Sequence, residues 1–381
     1  MRKTPALFLS IFLFINCGLL TANCFVFAQE EKYVRVLILK DKPTVSFKIN
    51  GSFEIDDAQS GKVLYRGKNL KAAITAQKNG ISIGKTSFKS NKVLLRPDDP
   101  EAVYLESRKF RGNLVFVRNG RRLSVINHIK IDDYVSGVLI YEASHYWPTE
   151  ALKAMVLVVR TFALYQAGEN AVKDYDLTSD IYSQVYGGRI GERYRLNEAV
   201  EQTKGLILTY QGKILPSFHH ATCAGHTEDS AQLWNIDLPP LKGVPCDFCK
   251  ESPHYNWHQV SEEKEIREKL IGAGYDINKI NEIVILGKNP SGRIKNLRII
   301  SDKKDITISC KDFRNIIGPN IIKSTNFSVS LVNGDVVFVG LGWGHGVGLC
   351  QWGAYFMAKK GYSYEQIIEY YFPGSKLSGI K

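Results

Sequence analysis

The sequence predicts an α+β fold: mostly antiparallel β, with a buried central helix pair and a smaller β region at the N-terminus. Three observations predict it. Strand-like alternation runs from Tyr33 to about Ile126 and is punctuated by Asn-Gly dipeptides. An apolar, helix-forming stretch follows from Ile131 to about Gln166, and shorter strands and turns occupy most of the remainder. Period-two patterning buries one face of a strand, whereas a stretch apolar on nearly all sides belongs inside a fold.

The first 28 residues read as a secretory signal peptide. Arg2 and Lys3 precede an apolar run from Ala6 to Leu20, and Val26-Phe27-Ala28 offers small residues for cleavage. An uncleaved anchor is the competing reading, but the run is shorter than the roughly 20 residues a bilayer requires. Cys17 and Cys24 each follow an asparagine, where a lipoprotein signal has a small residue. The mature chain is therefore expected to be exported, to the periplasm or cell envelope.

Residues 29–107 form the expected N-terminal β region. Val34-Arg35-Val36-Leu37-Ile38 and Val45-Ser46-Phe47-Lys48-Ile49 alternate, and Asn50-Gly51, Asn79-Gly80 and Asn119-Gly120 are hairpin signals because both residue types tolerate positive φ. Residues 108–381 form a second, larger domain. Two helices joined by a short connection are expected there. The first starts at Ile131 with Asp132 and Asp133, and the second is opened by Pro148, whose missing N–H has no partner in a first turn anyway. Ala151, Leu152, Met155, Val156, Val158, Val159, Phe162 and Leu164 make this second helix apolar nearly all round. Further helices are expected over Glu262 to Ile271 and Trp352 to Lys360.

The formal charge of +12 becomes +10 once Arg2 and Lys3 leave, which points to polyanions as partners. Outside the cytoplasm these are wall polymers and anionic membrane surfaces. Nucleic acid ranks third and is not expected as a partner, since the export signal argues against it and no clustered basic run or recognition motif stands out. Five cysteines persist after cleavage, and an odd number excludes a pure disulfide framework.

Three constellations could carry chemistry. Cys223-Ala224-Gly225-His226 and Cys246-Asp247-Phe248-Cys249 are two pairs with the spacing of a closed, structural zinc site. A Cys246 to Cys249 disulfide and free thiols are the alternatives, and His219 or His220 could replace His226 as fourth ligand. The block Gly342-Trp343-Gly344-His345-Gly346-Val347-Gly348-Leu349-Cys350-Gln351-Trp352 fits a sugar-binding groove lined by Trp343, His345 and Gln351, or a tight structural turn. Cys350 with His345 also offers a cysteine nucleophile. In Tyr141-Glu142-Ala143-Ser144-His145-Tyr146-Trp147-Pro148, Glu142 among Tyr146 and Trp147 is expected to be desolvated, with a raised pKa suited to a general acid. Arg160, in the apolar helix, requires a carboxylate or a ligand.

Taken in order, these segments resemble the SpoIID/LytB family. The match runs through Lys109-Phe110-Arg111-Gly112, Tyr134-Val135-Ser136-Gly137-Val138-Leu139, Trp147-Pro148-Thr149-Glu150, Arg160-Thr161-Phe162-Ala163, Ala221-Thr222-Cys223-Ala224-Gly225-His226-Thr227-Glu228, Ser291-Gly292-Arg293, Lys323-Ser324-Thr325-Asn326-Phe327 and the glycine-rich block. Ala224 departs from the family pattern, which has glycine there. The resemblance implies a catalytic domain of this type over residues 108–381. It implies Glu142 as the single acid/base of a peptidoglycan lytic transglycosylase, Arg160 as a second site residue, glycan strands as substrate, and structural zinc. It also leaves open a non-catalytic enhancer of an N-acetylmuramoyl-L-alanine amidase, with that amidase or another wall hydrolase as partner. A third reading, hydrolysis, would require Asp132 or Asp133 as a second carboxylate.

Overall fold

The computed structural model describes residues 31–380 except 102, 181 and 182. The expected signal peptide lies outside the described residues. Ten strands lead the fold: β1 (Tyr33–Lys42), β2 (Thr44–Asp57), β3 (Val63–Gln77), β4 (Gly80–Ile83), β5 (Thr86–Phe88), β6 (Lys92–Pro97), β7 (Val103–Leu105), β8 (Arg108–Phe110), β9 (Asn113–Asn119) and β10 (Arg122–Lys130). Together with Leu177–Thr178 they form one mostly antiparallel sheet, in which β1 pairs with β10 and β6 with β9. The sheet therefore runs without a break across residues 107 and 108. What reads as a smaller N-terminal region is the larger part of the principal sheet.

The turn signals work out in two of three places. Asn79-Gly80 and Asn119-Gly120 close the β3–β4 and β9–β10 hairpins. Asn50-Gly51 instead marks a bulge inside β2, between the Ile49–Leu70 and Ser52–Lys68 pairs. There the Gly51 N–H donates to the Asn69 side chain at 2.7 Å, so a local signal for positive φ is used to bend a strand and not to reverse it.

Two helices follow as expected: α1 (Ile131–Glu142) and α2 (Thr149–Glu169). α2 buries Leu152, Met155, Val156, Leu157, Val158 and Val159 completely, each contributing about 1.5–3 kcal/mol of apolar burial. It is long and apolar enough to cross a membrane, yet 72% of its most apolar window is buried within the fold. That burial makes it the central core helix.

A second core lies in residues 256–341, built from Trp257, Ile266, Leu270, Leu297, Ile299, Phe313 and Phe338. Two three-stranded sheets and the helices Glu263–Gly272 and Cys310–Ile317 enclose it. Buried polar contacts clasp this lobe to the first. Asn289 Nδ2 and Ser291 Oγ donate to Glu228 Oε2, each at 2.8 Å. Arg293 donates to the carbonyls of His226 and Cys223 at 3.1 and 3.2 Å. Gly346 makes room for that guanidinium, since a Cβ there would lie 2.3 Å from Arg293 Cζ. Helices Gln351–Lys359 and Tyr364–Tyr371 then lead to a last strand, Lys376–Gly379, which pairs with Leu206–Tyr210.

Candidate active site and metal centre

Glu142 is the last residue of α1, and two distant segments converge on it. His219–His220 pairs in parallel with Leu349–Cys350, with His219 opposite Leu349 and His220 opposite Cys350. This ladder fixes the His-His segment beside the start of the helix that opens at Gln351. As a result His219 Nε2 and Gln351 Nε2 both reach Glu142 Oε2, each at 3.0 Å. Oε1 has no hydrogen-bond partner among the described residues, and the side chain keeps 18% exposure. The carboxylate is thus held by one oxygen and free at the other.

The electrostatics reverse the sequence expectation. Burial pushes the Glu142 carboxyl up, but the imidazole of His219 and the amide of Gln351 outweigh it and leave the carboxyl below its ordinary range. Desolvation alone would raise it; hydrogen bonds to the charged form favour ionisation. His219 is the residue the sequence reading placed elsewhere, as a substitute zinc ligand. Its signal was its position four residues before Cys223 in a short strand, and nothing local pointed to Glu142.

Arg160 is not brought to Glu142. It is fully buried and donates to Asp132 Oδ1 at 2.8 Å, to the Thr203 carbonyl at 2.8 Å, and to the carbonyls of Leu206 and Val200 at 3.2 Å. Asp132 begins α1 and Glu142 ends it, so about 15 Å of helix separates the two sites. Trp147 is also a core residue, 8% exposed and against Trp352 and Tyr355 with ring centroids 5.3 and 5.2 Å away. Tyr146 is 78% exposed, its ring against His145.

The aromatic residues of the glycine-rich block line up beyond Gln351. Trp352 contacts His254, whose ring meets Trp343 edge to face at 4.7 Å. Lys323 lies over the Trp343 ring at 4.8 Å. Trp343 is half-buried, so it retains surface for a ligand. His345 instead packs against Trp234 and accepts the Val347 N–H at Nδ1. Burial and the neighbouring His220 hold its imidazole well below the ordinary range, making it a neutral turn-former.

The metal-ligand set needs one correction. Cys223, Cys246, Cys249 and Cys350 bring their sulfurs within 4.8 Å of one another, all buried. His226 is absent from this set. In the short ladder of Gly225–His226 with Pro245–Cys246, Gly225 stands opposite Cys246 and His226 opposite Pro245. Alternation along a strand therefore turns His226 away from Cys246, and its Nδ1 meets the Thr227 carbonyl. Cys350 takes its place, so the thiol that the sequence offers as a nucleophile lies buried in this cluster. Its sulfur caps the last-but-one helix, accepting the Gly353 N–H at 3.3 Å, and accepts the Cys223 N–H at 3.3 Å. The cysteines are free thiols, with Cys223 and Cys249 sulfurs 3.5 Å apart. A Zn–S length of about 2.3 Å places tetrahedral sulfurs about 3.8 Å apart, so four buried thiols in this cluster could hold a metal such as zinc. Ala224, between these ligands, carries φ +61°, the left-handed conformation for which the family pattern's glycine is suited.

Comparison with known proteins identifies the family. A family profile described as stage II sporulation protein (SpoIID) matches residues 119–210, and a second, described as a domain of unknown function (DUF8618), matches residues 245–348. The second stretch encloses the second core. Stage II sporulation protein D of Bacillus subtilis is 31% identical over 270 residues, covering 66% of this chain and 76% of the relative. An uncharacterized protein of Brachyspira hyodysenteriae is 29% identical over 354 residues, 92% of this chain and 94% of its own length. The amidase enhancer of B. subtilis is 26% identical over 289 residues, 64% of this chain and 40% of that protein.

Proposed function

Because the chain belongs to the SpoIID family and has an amidase enhancer among its relatives, we propose that it is an exported peptidoglycan lytic transglycosylase with Glu142 as its acid/base. The carrying observation is a carboxylate held through one oxygen by His219 and Gln351 and open at the other. In the proposed reaction, protonated Glu142 gives its proton to the oxygen between N-acetylmuramic acid and N-acetylglucosamine as that bond breaks. The C6 hydroxyl of the same muramic residue then attacks C1 and returns its proton to Glu142, leaving a 1,6-anhydro ring.

One carboxylate suffices for that sequence, whereas hydrolysis with inversion uses two about 6.5–9.5 Å apart. Asp132 is engaged by Arg160, and Asp133 lies 3.6 Å from Arg111, both at the far end of α1. That placement favours capture by the sugar hydroxyl over capture by water. Trp343, Trp352 and His254 supply aromatic faces for sugar rings on the Gln351 side. The four cysteines would hold a structural zinc with no vacant position; its chemistry there is to tie the His219 segment to the last helices.

Glu142→Gln should lower release of anhydromuramic products from glycan strands by about 10²–10⁴, with the thermal midpoint little changed. Mass spectrometry of the digests reads this, because anhydro ends are lighter by one water than hydrolytic ends. Anhydro products from the variant at the wild-type rate would remove Glu142 from the chemistry. If neither protein cut glycan and both stimulated an added amidase, the enhancer reading suggested by the amidase enhancer relative would replace this one.

A further inference from the structure

The outer face of the principal sheet carries a cationic row that the reaction does not use. Lys71 on β3 stands directly opposite Lys48 on β2, Lys48 opposite Tyr104 on β7, and Tyr104 opposite Lys109 on β8. Lys48 and Lys109 both lie over the Tyr104 ring, at 5.2 and 6.0 Å, which places the whole row on one face. Lys68 extends it along β3, opposite Ser52, and Arg66 follows, ion-paired with Glu54 at 2.6 Å. Lys48, Lys68 and Lys71 are exposed and have no acidic partner among the described residues.

Like charges directly opposite one another destabilise a sheet, so this juxtaposition requires a compensating role. Lysines on an edge strand can simply block edge-to-edge pairing. That explanation fits β3, whose outer edge is paired only over Ile74–Gln77, but not Lys48, which stands between two paired neighbours. The surplus is also regional. Between Lys40 and Lys92 the chain has eleven Lys or Arg against four Asp or Glu, seven of the twelve formal charges of the whole protein.

We propose that this face docks the protein on an anionic lipid bilayer. The row lies on an open sheet face and not in a cleft, which suits a surface more than a single polymer strand. Leu64, 37% exposed, lies two residues from Arg66 at an irregularity in the β2–β3 ladder and offers an apolar contact beside the row. Each lysine near such a surface adds attraction that dies away within a screening length.

The test is co-sedimentation of the chain starting at Gln29 with vesicles of phosphatidylcholine alone or with about one third phosphatidylglycerol. Binding is expected only with phosphatidylglycerol, and it should vanish between about 0.1 M and about 1 M salt, where the screening length falls from about 10 to about 3 Å. Lys48→Gln combined with Lys68→Gln and Lys71→Gln should bind about a hundredfold more weakly, while the same three changed to Arg should bind as wild type. Equal binding of the Gln variant, or equal binding to neutral vesicles, overturns the proposal. So does retention by inorganic polyphosphate, lost in the Gln variant, when vesicles bind neither protein.

Discussion

The two ends of α1 carry the same kind of pairing and use it oppositely. At the N-terminal end Asp132 meets Arg160, whose donors are also taken up by the backbone of Val200, Thr203 and Leu206. At the C-terminal end Glu142 meets His219 and Gln351 through a single oxygen. The first arrangement joins α1, α2 and the 200–206 segment and leaves the cation nothing to offer a ligand. The second leaves one carboxylate oxygen without a hydrogen-bond partner among the described residues. A buried charge becomes structural when its hydrogen bonds are complete, and becomes available for chemistry when the fold stops short of completing them.

The four-cysteine cluster extends the comparison as another buried group that could hold a metal, and removing one of its thiols should produce the largest effect. Cys350→Ser is expected to reduce bound zinc from about one equivalent to a small fraction and to lower the unfolding midpoint steeply, since metal binding in a closed site is folding free energy. His226→Ala should keep its metal. Elemental analysis of both variants decides the ligand set, and zinc loss from the His226 variant alone would restore the sequence-based assignment.

Next in size is Arg160→Met. Breaking a buried pair costs about 3–5 kcal/mol, and the lower end applies because Asp132 is 24% exposed. The shift should appear in denaturant midpoints, with anhydro-product release per folded molecule near wild type. Unchanged stability with lost activity would instead place Arg160 in the site and dissolve the contrast between the two ends.

The smallest effect is expected from His219→Gln, about tenfold in kcat for the loss of one hydrogen bond to a charged group. Its diagnostic sign is the pH profile. His219 is one of the two contacts holding the Glu142 carboxyl down. Without it the carboxyl keeps its proton to higher pH, so the alkaline decline in rate moves upward. A rate loss with an unmoved profile would make His219 merely structural.

The sequence by itself determined the local elements and singled out Glu142 as the candidate acid. Pro148 fixed the start of α2, two Asn-Gly turns closed hairpins, and the segment from Tyr134 to Glu142 marked the carboxylate. Local chemistry misled where context overrode it. Asn50-Gly51 became a bulge because β2 continues past it, and Tyr364–Tyr371, rich in aromatic residues, was missed although Ser363 and Gln366 form a capping box. Tertiary structure alone decided which residues meet. His219 and Gln351 reach Glu142 across 77 and 209 residues, and Cys350 joins cysteines more than a hundred positions earlier. Spacing along the chain limits only neighbours within a turn or strand, whereas a ladder between His219–His220 and Leu349–Cys350 carries both pairs of distant groups into register at once.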